Sequence, residues 1–225
     1  YHFSTALQMC AVIGTVAAPL TLYSVELGLN PDRIGILGSL IAFCQVLALI
    51  SIPLTVYFGS KILSIWTLFS RYIFLLIFLI VPFYKDNLTL VFYLLFFSML
   101  MFSILRSLSE AAFIPWMQEF IPRDVRGRTI GINGIVCTPF ALAASYAIKV
   151  WLDSREGLDR FYPVFFVAII SGLISALLLL KLKGGKRIEN RENDKGYLRN
   201  LLLATKDKNY NLFLISSGTQ YLVIT

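Results

Sequence analysis

The stretch 103–113, SILRSLSEAAF, sets Arg106 and Glu110 four residues apart, so both fall on one face of a helix. Its flanks are apolar. Near a bilayer centre each charge costs roughly 3 kcal/mol on insertion scales. Such a pair has three readings. It forms a substrate or proton-coupling site facing an aqueous cavity, or it is an ion pair packing one helix on another, or Glu110 lies close enough to the cytoplasm to be solvated. Gln8 raises the same choice: it lines a cavity or bonds a neighbouring helix. A second cluster is IPRDVRGRTIG at 121–131. Pro122 marks a helix exit, and Gly127 permits a tight turn or close packing. Arg126 and Arg128 can bind acidic groups, helix C-termini or lipid phosphates.

The elements that must position these groups are long apolar runs. Of 225 residues, 57% are hydrophobic and only 15% charged, too few to coat a soluble domain of this size. Six runs reach the roughly 20 residues needed to cross a bilayer: 3–23, 34–57, 62–84, 88–114, 129–151 and 162–180. The expected fold is an all-α membrane protein: a six-helix bundle over 1–180, a linker over 181–209 and the start of a seventh span over 210–225. Within the linker, 197–202 (YLRNLL) has the pattern of a helix lying on the membrane surface. The chain reads as a fragment, since it opens on Tyr1 and ends inside an apolar run.

Basic residues set the expected orientation. The loops after spans two, four and six carry Lys61, Arg123, Arg126, Arg128 and nine more between 181 and 209. The other loops carry only Arg33, Lys85, Arg155 and Arg160. Positive residues favour the cytoplasmic side, so the N-terminus and the even loops belong there, with the chain in a plasma or bacterial inner membrane. A seven-helix receptor would show the reverse. Two further span charges, Arg71 and Lys149, read as snorkelling towards their nearer surfaces. Asn87-Leu88-Thr89 matches a glycosylation sequon, expected to go unused so close to the bilayer.

The net charge of +7 fits basic loops rather than nucleic-acid binding. Cys10, Cys44 and Cys137 read as small buried hydrophobes. The chain carries no HExxH, GxSxG or Walker loop, so neither an enzyme nor a cofactor is expected.

Taken together, these residues resemble the major facilitator superfamily of secondary transporters. Six spans, a long charged loop and a new span resemble the first half of such a transporter and its interdomain loop. WMQEFIPRDVRGRTIG at 116–131 is similar to the family's loop between helices four and five, with its Ile-Pro-x-x-x-Arg-Gly-Arg stretch. IPLTVYFGSK at 52–61 aligns with the loop between helices two and three. Leu54, Gly59 and Lys61 match there, while Ile52, Val56 and Tyr57 stand at the first Gly, Asp and Arg positions. Arg106 matches an arginine that many proton-coupled members carry in helix four, whereas Glu110 stands where Gly is usual. Span five lacks the Gly-Pro motif of drug/proton antiporters. The resemblance implies alternating access by a monomer carrying a small solute, with an anionic group or a proton site at Arg106; Glu110 and Gln8 are candidate substrate-binding or coupling residues from their own chemistry, not from the family. Gly59, Lys61, Pro122, Arg126, Gly127 and Arg128 then form cytoplasmic gating loops in contact with lipid. The alternative is a non-transporting receptor, scaffold or lipid-handling protein on the same fold.

Overall fold

In hydrocarbon a backbone amide has no water to bond, so apolar runs of this length satisfy their amides internally as helices. The computed structural model describes residues 1–16 and 18–185. The expected surface helix at 197–202 and the seventh span at 210–225 lie outside the described residues.

The protein is an all-α membrane protein with six spans among the described residues: span 1 His2–Glu26, span 2 Pro31–Ile50, span 3 Ser60–Tyr84, span 4 Leu88–Phe120, span 5 Arg123–Asp153 and span 6 Leu158–Leu180. Span 2 runs on through the helix Ser51–Phe58, and Gly59 then turns the chain with φ +86, a conformation that favours glycine. Span 4 is longer than its apolar run suggests. It continues through Pro115 to Phe120, 33 residues or about 50 Å at 1.5 Å per residue, and so exceeds the hydrocarbon core. Asn87 starts it as an N-cap, its side-chain oxygen accepting from the Leu90 amide at 3.1 Å. The sequon asparagine is therefore a helix cap. Asn87→Ala is expected to cost about 1 kcal/mol, read as a lower unfolding temperature in detergent.

The packing repeats. Span 1 lies against spans 5 and 6, span 4 lies against spans 2 and 3, and span 3 meets span 6. Exchanging spans 1, 2 and 3 with 4, 5 and 6 maps this pattern onto itself. The ends alternate accordingly. At one end, called here the basic end, Tyr1 stacks on Phe113 at the close of span 4, and Lys61 reaches the close of span 6. At the other end Arg160 pairs with Glu26, and Arg33 sits 5.1 Å over the Phe92 ring.

Lipid tails are as apolar as leucine, so the helices are held by close packing and hydrogen bonds rather than by escape from water. A Cβ on Gly14 would stand 2.7 Å from Ala168 Cβ, which puts spans 1 and 6 in backbone proximity. Ser4 and Ser175 each donate to the other's carbonyl, at 3.0 and 2.9 Å. Ser64 and Ser109 do the same between spans 3 and 4, at 3.3 and 3.2 Å. Towards the other end, Tyr23, Phe78, Phe161 and Phe165 form a buried aromatic cluster, with the Tyr23 hydroxyl donating to the Phe78 carbonyl at 2.8 Å. The outside is apolar, with Phe43, Val46, Trp66, Ile135 and Val167 all exposed, as a lipid-facing surface requires.

Candidate functional site

Spans 1, 3, 4 and 6 enclose a cavity of about 280 Å³. Span 1 supplies Thr5 and Gln8, span 3 supplies Ser64 and Arg71, and span 4 supplies Ser109, Glu110, Phe113 and Ile114; Leu179 of span 6 completes the wall. It has room for several water molecules. Two of the residues singled out by sequence, Gln8 and Glu110, are thus brought together. The Gln8 amide has no protein hydrogen bond among the described residues.

Arg106 does not line the cavity. It reaches it through Glu110, one helical turn on, its Nε donating to Glu110 Oε1 at 2.7 Å. The two side chains are 26% and 45% exposed, so both ends of the pair remain partly open.

Arg71 departs from the sequence reading. It does not snorkel to a surface: the residue is 3% exposed and lines the cavity. Its Nη2 donates to the Tyr72 hydroxyl at 2.9 Å. The guanidinium carbon lies 4.9 Å from the Tyr72 ring centre and 5.4 Å from that of Phe102. Both rings are fully buried, and they hold the side chain inside the bundle. A sequence signal was present: Ser64, Thr67 and Arg71 recur at i, i+3 and i+7 and make one polar helix face.

The basic end has its own construction. The Lys61 ammonium donates to the Leu180 carbonyl at 2.9 Å and also to that of Leu182, capping the C-terminus of span 6 with a positive charge. The Lys61 amide donates to Gly185, and Trp116 Nε1 donates to the Lys183 carbonyl at 3.0 Å. Glu119 accepts from the Gly185 amide. Gly184 and Gly185 have φ +87 and +69, and a Cβ on Gly185 would stand 2.5 Å from Lys61 Cβ. The first five residues after span 6 are therefore tied to the starts and ends of spans 3 and 4.

In the cluster at 121–131, Pro122 follows an extended Ile121, and these two residues make the exit from span 4. Arg126 takes the helix-terminus role: its Nη2 donates to the carbonyl of Gln118 at 3.2 Å and that of Ile121 at 3.5 Å. Gly127 makes neither a turn nor a close contact. It sits in the first turn of the span 5 helix with open space around it, because the chain has already turned at Ile121 and Pro122. Arg128 is exposed. Beside the cavity, burial against Phe113 and Phe120 raises the pKa of the Tyr1 phenol above its ordinary value.

No protein-family profile, curated protein or solved structure matches this chain.

Proposed function

We propose that this bundle belongs to a secondary transporter of the major facilitator type that moves a small solute by alternating access. The observation that carries the reading is the cavity itself. An otherwise apolar bundle holds Arg71, Glu110, Gln8 and three hydroxyl side chains around one space, and ionisable groups at membrane depth are costly unless they serve a pathway. The repeated packing adds support, since transporter folds of this class are built from two inverted three-helix units. So does the loop stretch at 116–131. In this reading the basic end is cytoplasmic, Arg106 and Glu110 respond to solute or proton, and Lys61 with Arg126 secures the cytoplasmic helix ends.

The test is flux. The whole protein that carries this bundle, in proteoliposomes, is expected to give saturable uptake of at least one class among small organic acids, sugars and amino acids, with acceleration by an imposed pH gradient if a proton is coupled. Uptake no faster than in protein-free vesicles across that panel overturns the proposal. It would favour the second reading, a non-transporting membrane protein on this bundle, to which Val56 and Tyr57 point by standing where the transporter loop carries charges.

A further inference from the structure

Among the described residues, the cavity contains one positive charge without a carboxylate partner. Arg106 and Glu110 neutralise each other at 2.7 Å. Arg71 lies on the same cavity, and no described carboxylate is within ion-pair distance of it. Its Nε is buried without any hydrogen-bond partner. A buried guanidinium lacking a counter-ion is strongly disfavoured, and two aromatic faces with one phenol hydroxyl offset only part of that cost.

We infer that Arg71 is the anion-recognition group of this cavity, and that its ligand is a small organic monoanion with a compact head and a short apolar part. The inference rests on the cavity being the solute site and names the class of solute. A single unbalanced charge selects a monoanion over a dianion or a cation. Guanidinium geometry suits a planar carboxylate. Phe113, Ile114 and Leu179 give apolar lining, and the Gln8 amide, without a hydrogen bond among the described residues, offers one donor and acceptor pair. At about 280 Å³ the space falls at or below the lower end of the usual small-molecule range, so the ligand is short.

The experiment uses the full chain in nanodiscs and ligand-dependent shifts in thermal unfolding at constant ionic strength. The probes are the straight-chain monocarboxylates from propionate to hexanoate, their primary amides, and succinate. A carboxylate is expected to bind at least about 30-fold tighter than its own amide, with succinate weaker. Arg71→Met should erase that preference and raise the unfolding temperature of the ligand-free protein, because an uncompensated charge has been removed. Arg71→Lys should keep a weaker preference, and it provides the comparison if the methionine variant does not fold. Equal binding of acid and amide, binding of neither, or a preference that survives Arg71→Met overturns the inference. Saturable flux of an uncharged solute without anion preference would sink it while leaving transport intact. Anion binding lost with Arg71 but unaccompanied by any flux would do the reverse.

Discussion

Arg106→Ala is expected to reduce solute uptake to the level of protein-free vesicles while leaving membrane insertion and the folded fraction unchanged. The two halves of that expectation have different causes. The pair is an i, i+4 contact with both side chains partly exposed, and such pairs contribute only about 0.3–0.5 kcal/mol to a helix. Insertion loses little, since removing an arginine from an apolar span lowers the cost of placing it in lipid. Function loses more. Arg106 is the partner of Glu110, and Glu110 lines the cavity. Without Arg106 the Glu110 carboxylate lines the cavity without its partner, which in the proposed mechanism repels an anion. Glu110→Gln separates the two roles: it keeps the side-chain shape, and if Glu110 carries the coupled proton it should abolish gradient-driven accumulation while solute exchange persists. Undiminished uptake by Arg106→Ala would remove the residue from the mechanism.

Gly172→Ala should destabilise the bundle by about 2–3 kcal/mol, towards the upper part of the range for overpacking a close contact. The added methyl would stand 2.3–2.5 Å from three ring atoms of Tyr72. That ring cannot step aside easily. It is fully buried, it lies edge-on to Phe102, and Arg71 donates to its hydroxyl. Spans 3 and 6 must separate, or Tyr72 must leave and take the Arg71 contact with it. The measurement is the unfolding midpoint in detergent for Gly172→Ala, Tyr72→Leu and the double variant. Because both changes act on one contact, the double variant should be clearly less damaged than the sum of the singles. Additive losses would show that span 3 and span 6 do not meet as described. Tyr72→Phe is an informative control: it leaves the clashing carbons in place and should give no rescue.

The local arithmetic of the chain was legible from sequence because lipid permits so few solutions. Without water every long apolar run must be a helix, so the six spans and the all-α class follow from run length alone. The i, i+4 spacing of Arg106 and Glu110 likewise predicts a shared face, and the bonded pair is the direct result. Boundaries were less clear. The apolar run of span 4 reads as 88–114, yet the helix passes through Pro115 to Phe120, because neighbouring helices make an interior proline tolerable in a membrane bundle.

Which helix faces which was decided elsewhere. Arg71 has a stem long enough to snorkel, and its sequence neighbours permit that. The rings of Tyr72 and Phe102, pressed against it by spans 4 and 6, keep it on the cavity instead. Lys61 caps carbonyls 119 and 121 residues further along, and a side chain on Gly185 would meet Lys61 and Trp116, which stand beside it. Composition, span count and the helical spacing of charges were properties of the sequence by itself, since each depends on residues within a few turns of one another. The enclosure of Gln8, Arg71 and Glu110 in one cavity was settled only by tertiary packing, because it depends on contacts between spans that no local spacing specifies.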